Sequence, residues 1–198
     1  MRKYEVKEDA FTGLEAAIVL IAFVVVAAVF SYVVLGAGFF TTQKSQEVVH
    51  SGVTQAASNI VIKGEVYGIA DSNETPSTVR YLQFDIGLAA GGLPVDMNRT
   101  TLTYSTVNVA PYVLEHDFAN FNAEVDPDAG KWVIYKISAG STNDMTLQTA
   151  ETFTIRVRPA VDLVTREKFL IEVKPEIGAA LGIDRTVPPA ITYTTLLY

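Results

Sequence analysis

The sequence predicts an α+β protein, in which one long N-terminal hydrophobic α-helix is followed by an immunoglobulin-like antiparallel β-sandwich. Residues 16–40 form an apolar run without a charged side chain. An amphipathic helical pattern continues that run to about residue 60. Beyond it, apolar and polar residues alternate, which is the period of half-buried strands. The change of period divides the chain into a helical part and a β part.

The apolar run of 25 residues reaches about 37 Å as a helix, which exceeds the ~30 Å hydrocarbon core of a bilayer. Its helix is apolar on every side, so it requires either lipid or a protein core around it. An apolar stripe formed by Val49, Val53, Ala56 and Ile60 then extends the helix. We therefore predict one helix over residues 11–61, about 75 Å long, whose second half lies outside any membrane.

The β part is predicted over residues 62–198. Four segments show the two-residue period of strands, at 82–88, 132–137, 153–158 and 169–174. Gly, Pro, Asn, Asp and Ser cluster between them, which is typical of turns. The predicted core consists of Phe84, Trp132, Phe153, Ile155 and Ile171.

The composition excludes several classes of function. A net charge of −7 argues against nucleic-acid binding. The chain has no cysteine and two histidines, so it offers neither thiolate chemistry nor a multi-histidine metal centre. No nucleotide-binding or hydrolase motif occurs, and His116-Asp117 is interpreted as a surface loop pair. We therefore predict no enzyme, cofactor or metal site.

Residues 1–10 form a short charged leader before Phe11-Thr12-Gly13-Leu14-Glu15. This segment resembles the mature start of type IV pilin-like proteins, and the apolar run after it resembles the N-terminal helix of archaeal flagellins (archaellins). The resemblance implies that a prepilin-type peptidase cuts between Ala10 and Phe11. Archaellin leaders usually end in a basic residue and Gly, where this chain has Asp9-Ala10, and a cut after Gly13 is the alternative.

The C-terminal part carries a second resemblance to archaellins, in the runs Ile171-Glu172-Val173-Lys174-Pro175-Glu176-Ile177-Gly178-Ala179 and Arg185-Thr186-Val187-Pro188. Pilins share the N-terminal helix but not this ending. The resemblance implies a structural subunit of the extracellular archaeal motility filament (archaellum). It also implies self-association into a helical homopolymer, a precursor in the cytoplasmic membrane, and a motor platform as partner.

Five residues of the helix are candidates for assembly. Glu15 is either a boundary charge that the helix dipole favours, or it pairs with the α-amino group of a neighbouring subunit, as in pilins. Val25 and Val26 lie within the predicted filament core. Ala27 and Ser31 are small residues four apart, which allow close approach between helices.

Two sequons, Asn73-Glu74-Thr75 and Asn98-Arg99-Thr100, lie in predicted loops and are candidate N-glycosylation sites. Asn98 ranks ahead of Asn73, because Pro76 stiffens the loop that carries Asn73. Two other classes of protein remain open at this point. One is an archaeal adhesive pilin, and the other is a membrane-anchored β-domain stator component of the same machine, whose helix would stay in lipid.

Overall fold

The computed structural model describes residues 6–138 and 140–198, and the side chains of these residues except 6–12, 56 and 57. The chain divides into two units between Ser51 and Gly52. The described residues of the first unit all lie in a single helix, α1 (Val6–Ala57, 52 residues), whose last six residues belong to the second unit. At 1.5 Å per residue it is about 78 Å long, and it continues without a break through Gly36 and Gly38.

The helix ends earlier than the sequence predicts. The prediction placed its end near residue 61, whereas α1 ends at Ala57. In the last turn of the helix, the N–H and the hydroxyl of Ser58 both donate to the carbonyl of Thr54, at 3.1 and 2.9 Å. The β-branched residues that begin at Ile60 then favour an extended backbone, and the first strand starts there.

Eleven strands occupy the described part of the chain after the helix, which we call the β-domain (residues 58–198). They are β1 (Ile60–Ala70), β2 (Val79–Leu88), β3 (Val95–Asp96), β4 (Thr101–Thr106), β5 (Tyr112–His116), β6 (Lys131–Ile137), β7 (Thr146–Leu147), β8 (Thr152–Arg158), β9 (Lys168–Lys174), β10 (Leu181–Thr186) and β11 (Thr194–Leu197). The four strands predicted from the two-residue period correspond to β2, β6, β8 and β9.

Nine of these strands form one sheet in the order β10-β9-β4-β5-β6-β8-β2-β1-β11, and β3 pairs with β7. Neighbouring strands are antiparallel except β5 and β6, which pair in parallel through Glu115↔Lys131 and His116↔Trp132. The two outermost strands also meet, because Thr186 and Tyr198 exchange backbone hydrogen bonds of 2.7 and 3.4 Å. The predicted class was one long N-terminal hydrophobic α-helix followed by an immunoglobulin-like antiparallel β-sandwich. It is confirmed as a long apolar helix followed by a large antiparallel-rich β-sheet.

One hydrophobic core fills the β-domain and takes side chains from both ends of the strand order. The five predicted core residues are all at most 1% exposed. Strand β9 shows how the sequence produces this burial, since Phe169, Ile171 and Val173 are buried and the residues between them are exposed. The period of two therefore places one face of each strand in the core.

Candidate assembly surface

Within the first unit, the described residues leave the apolar surface of α1 exposed. Among the described residues, the segment Gly13–Gln55 is long and apolar enough to cross a membrane by length and composition, with a mean hydropathy of 3.0. None of that apolar window is buried. Val25 and Val26 are 55% and 65% exposed. Such a surface is unstable in water, so lipid or other helices must cover it.

The candidate assembly residues lie on different sides of α1. With 3.6 residues per turn, Val26 lies on the same side as Glu15, about 20° away around the axis. Ala27 and Ser31 lie about 120–160° from Glu15, and Val25 about 80° away in the other direction. The helix therefore presents apolar or small residues on every side, which suits packing among several neighbours rather than along one seam.

Two threonines follow the glycines in the middle of α1, and their hydroxyls form hydrogen bonds within the helix. The Thr41 hydroxyl donates to the carbonyl of Ala37 at 2.8 Å, and the Thr42 hydroxyl donates to the carbonyl of Gly38 at 2.9 Å. These bonds leave no free hydroxyl donor at either position, so this part of α1 is compatible with dry surroundings. Charged residues begin directly afterwards, with an ion pair of 2.7 Å between Lys44 and Glu47.

The C-terminal run that resembles archaellins packs against the chain just after the helix, in a contact that we call the base clamp (Ser58, Asn59 and Glu176–Ala179). Asn59 forms a parallel bridge with Ala179. Gly178 has a φ of +118°, and a Cβ at this position would lie 1.7 Å from the carbonyl oxygen of Ser58. Only glycine fits here, because both the backbone conformation and the space exclude a side chain.

An ion pair lies beside the base clamp. Nη1 of Arg99 donates to both carboxylate oxygens of Glu176, at 2.8 and 3.0 Å. Both side chains are about half exposed or more, at 64% and 49%. The sequence-based interpretation gave the Lys-Pro-Glu-x-Gly-Ala run a family resemblance but no structural role. The structure gives Gly178 a contact and Glu176 a partner.

The two sequons differ in the exposure of their threonines. Asn73 and Thr75 are both exposed in the loop between β1 and β2. Asn98 is also exposed, but Thr100 is 5% exposed and its hydroxyl donates to the carbonyl of Asp96 at 3.1 Å. In the folded chain, the acceptor sequence at Asn73 is therefore open, whereas that at Asn98 is partly buried.

His116 is not part of a surface loop pair, and the sequence-based interpretation was wrong. It ends β5, and its ring stacks on Trp132 with a centroid distance of 3.9 Å and lies against Phe118 at 4.0 Å. Both ring nitrogens are buried and have no hydrogen-bond partner among the described residues. Burial lowers the pKa of His116 to about 4, against the opposing charge of Asp117. The imidazole is therefore neutral at pH 7 and packs as an aromatic ring between Trp132 and Phe118.

The predicted processing position can be placed only in part. Ala10 and Phe11 belong to α1, but their side chains lie outside the described residues. The first five residues of the predicted leader lie outside the described residues as well. Glu15 is exposed on α1. The structure thus gives the backbone at the predicted cut, and no side-chain contact there.

Comparisons with known proteins agree with this architecture. A family model described as archaeal-type flagellin matches residues 10–185. "Probable flagellin 1" of Archaeoglobus fulgidus is 42% identical over 191 residues, which cover 93% of this chain and 92% of that protein. A chain in the solved structure of the archaeal flagellum of Methanospirillum hungatei strain JF1 is 34% identical and aligns with a TM-score of 0.68, covering 93% of this chain and 98% of its own length.

A second solved structure supports the fold alone. The crystal structure of archaeal flagellin FlaB1 from Methanocaldococcus jannaschii is 20% identical and has a TM-score of 0.56. The alignment covers 71% of this chain and 97% of that one.

The chain thus consists of a long helix whose apolar surface is exposed within its own described unit, followed by a β-domain with its own hydrophobic core. The chain belongs to the archaeal-type flagellin family. This family consists of structural filament proteins. The assignment made from the sequence is therefore confirmed, and the comparisons favour it over an adhesive pilin or a stator component.

Proposed function

We propose that this chain polymerises into the archaeal motility filament by packing α1 against the α1 helices of identical subunits. The observation that carries the proposal is the apolar surface of α1, which is exposed on every side and which the described residues of its own unit do not cover. The similarity to a chain of the Methanospirillum hungatei flagellum supports it. A head-to-tail contact that does not close into a ring generates an open helical filament.

In this proposal, α1 lies first in the lipid bilayer and then in the filament core, and both environments exclude water. Before assembly, α1 holds the precursor in the cytoplasmic membrane, where lipid covers the apolar surface. In the filament, neighbouring helices cover it instead. Because the surface stays out of water in both states, the transfer does not cost the full hydrophobic free energy of exposure. Small residues at Ala27 and Ser31 allow the close packing that drives helix association in both settings.

Processing precedes assembly in this scheme. A prepilin-type peptidase removes residues 1–10 and leaves Phe11 as the new N-terminus. The carboxylate of Glu15 lies four residues away, near the start of the mature helix. It then pairs with the α-amino group of a neighbouring subunit, which neutralises two charges that would otherwise enter an apolar bundle alone.

The β-domain forms the outer wall of the filament and faces the medium outside the cell. Its N-glycans are attached at Asn73 and, if modification precedes folding, at Asn98. The exposure of Thr75 and the burial of Thr100 support this order, which reverses the ranking made from the sequence. The subunit is passive in motility, and the motor platform turns the filament from the cell envelope.

The test is mass spectrometry of filaments sheared from swimming cells, combined with cryo-electron microscopy. We expect subunits that begin at Phe11 and a filament axis built from parallel copies of α1. Subunits that retain Met1 would contradict the processing scheme, and a start at Leu14 would shift the cut to the alternative after Gly13. A filament whose axis lacks α1 would contradict the assembly scheme.

A further inference from the structure

A groove of about 670 Å³ lies on one face of the sheet, across the neighbouring strands β6, β8, β2, β1 and β11. Four tyrosines line it, namely Tyr67, Tyr81, Tyr135 and Tyr193. Tyr67 and Tyr193 are 40% and 50% exposed, so their rings are available to a ligand. The volume lies within the range of about 300–1,000 Å³ that is usual for small-molecule sites.

The floor of the groove is held rigid by Arg156. Its guanidinium stacks over the Tyr135 ring, 3.5 Å from the centroid. Nε donates to Oε1 of Gln83 at 3.1 Å, and Nη1 pairs with the carboxylate of Asp126. The Arg156 side chain is 12% exposed. These contacts fix planar polar groups beside aromatic rings before any ligand binds, which lowers the entropic cost of binding.

The charges in the groove favour a neutral, polyhydroxylated ligand. Arg156 is matched by Asp126, and Arg80 pairs with Asp162 at 3.4 Å. The remaining lining charge, Asp71, accepts the backbone N–H of Ser77 at 3.4 Å, which lowers its pKa and keeps it a carboxylate acceptor. An anionic ligand finds no surplus of positive charge here. Sugars suit the site, because their C–H faces pack on aromatic rings and their hydroxyls bond planar polar side chains.

The chain itself carries an attachment point for a sugar at the rim of this groove. Asp71 lines the groove, and the loop that follows is closed by a 3.2 Å bond from the Asp71 N–H to the Thr78 carbonyl. Asn73 lies two residues beyond Asp71 and is exposed. Two residues span at most about 7 Å. A glycan on Asn73 therefore starts beside the groove.

We propose that this groove is a carbohydrate-binding site and that the N-linked glycan on Asn73 of the same chain occupies it. The inference rests on the proposed glycosylation of Asn73, and it gives that glycan a fixed position against Tyr67 and Tyr193. The bound glycan covers two exposed aromatic rings and a polar floor on the outer wall of the filament.

The test compares filaments of the wild type with filaments of Thr75→Val, which removes the acceptor sequence and keeps the shape of the side chain. Glycopeptide mass spectrometry first measures the occupancy of Asn73. Hydroxyl-radical footprinting then measures the oxidation rates of Tyr67 and Tyr193, with Tyr198 as the reference ring. We expect both rates to rise several-fold in Thr75→Val while that of Tyr198 stays unchanged.

A second variant, Tyr67→Ser with Tyr193→Ser, tests the groove without touching the sequon. The Asn73 glycan should then be oxidised by periodate several-fold faster than in the wild type, at unchanged occupancy. An unoccupied Asn73 would overturn the proposal, and so would an occupied Asn73 with unprotected tyrosines. Equal protection with and without the glycan would also overturn it, since a neighbouring copy would then cover the groove. Filament formation is scored separately, so failure of the assembly scheme is distinguishable from failure of this one.

Discussion

The helix and the β-domain treat their apolar side chains in opposite ways. In the β-domain, Phe84, Ile155 and Ile171 are at most 1% exposed, and one continuous core includes all three. Along α1, Val25 and Val26 are more than half exposed, at 55% and 65%. The β-domain therefore contains the partners of its own core, whereas the described residues of the first unit supply none for the apolar surface of α1. This difference indicates that the β-domain folds on its own, whereas α1 provides the surface for assembly.

Val26→Asp has the largest expected effect, because it places a charge on the exposed apolar surface of α1, the proposed assembly surface. We expect complete loss of filaments. A carboxylate near the bilayer centre costs about 2.5–3.5 kcal/mol, and an unpaired charge inside a helical bundle is also strongly unfavourable. Electron microscopy counts filaments, and fractionation shows whether the precursor still enters the membrane.

The control for this variant is Val26→Leu, which keeps the surface apolar and should assemble normally. Val25→Asp extends the test around the helix, since Val25 lies about 100° away from Val26. We expect it to abolish filaments as well. Normal filaments from either aspartate variant would mean that the substituted side of α1 is not packed in the polymer.

Gly178→Ala tests the base clamp, which belongs to the β-domain. The added methyl would overlap the Ser58 carbonyl, so we expect the free energy of unfolding to fall by roughly 2–4 kcal/mol, from backbone strain and steric overlap together. Trp132, the single tryptophan and 1% exposed, reports unfolding in urea of the detergent-solubilised chain.

Gly91→Ala is the matched control for the base clamp. Gly91 also has a positive φ, of +77°, but outside its chain neighbours no described atom lies within 4 Å of the point that a Cβ would occupy there. This variant should lose only the strain contribution, about 1–2 kcal/mol. Equal losses of stability in the two variants would mean that the overlap with the Ser58 carbonyl contributes nothing beyond the backbone strain.

The sequence predicted the helix and strands that have a clear hydrophobic period. It missed elements with a weak period and contacts between residues that are distant in sequence. The helix and strands β2, β6, β8 and β9 follow from repeats of 3.6 and two residues. Strand β4 was missed because its alternation contains only two apolar residues, Leu102 and Tyr104, before Ser105 and Thr106 end the pattern. The end of α1 was misplaced because the apolar stripe continues into β1 as Ile60.

The candidate site shows the same limit. Apolar length alone predicted that α1 is an assembly surface. The base clamp could not be predicted, because Ser58 and Gly178 meet only after the strands between them have paired. His116 was misread for a related reason, since its stacking partner Trp132 comes from a parallel neighbour strand. Nothing adjacent in sequence indicates that its ring is buried.

His116 gives the self-contained β-domain a point of acid sensitivity. In the unfolded chain its pKa is about 6.5, and burial lowers it to about 4 in the folded chain. Between these values the unfolded state binds more protons, so stability falls as pH decreases from 6.5 towards 4. We expect a loss of about 1–3 kcal/mol, allowing for partial solvent screening.

The measurement is urea unfolding followed by circular dichroism at pH 7.5 and pH 4.5. His116→Phe keeps an aromatic ring between Trp132 and Phe118 but cannot be protonated. Its stability should decrease less than that of the wild type over this interval. An identical decrease in both proteins would assign the acid sensitivity to carboxylates elsewhere.

Glu176→Gln has the smallest expected effect, because its partner Arg99 is 64% exposed and the ion pair is screened by water. We expect a loss of at most about 1 kcal/mol, which decreases further in about 1 M salt as the Debye length shortens. A loss as large as that of Gly178→Ala would contradict this ranking, because the ion pair would then stabilise the base clamp as much as the glycine does.

The division between a folding part and an assembling part is tested most directly by expressing residues 58–198 alone. The fragment keeps the whole hydrophobic core and the strand order, and it lacks α1. Circular dichroism and sedimentation velocity should show a β-rich monomer or small oligomer that forms no filaments. An unfolded fragment would show that α1 completes the core of the β-domain, and filaments from the fragment would show that the wall, not the helix, drives polymerisation.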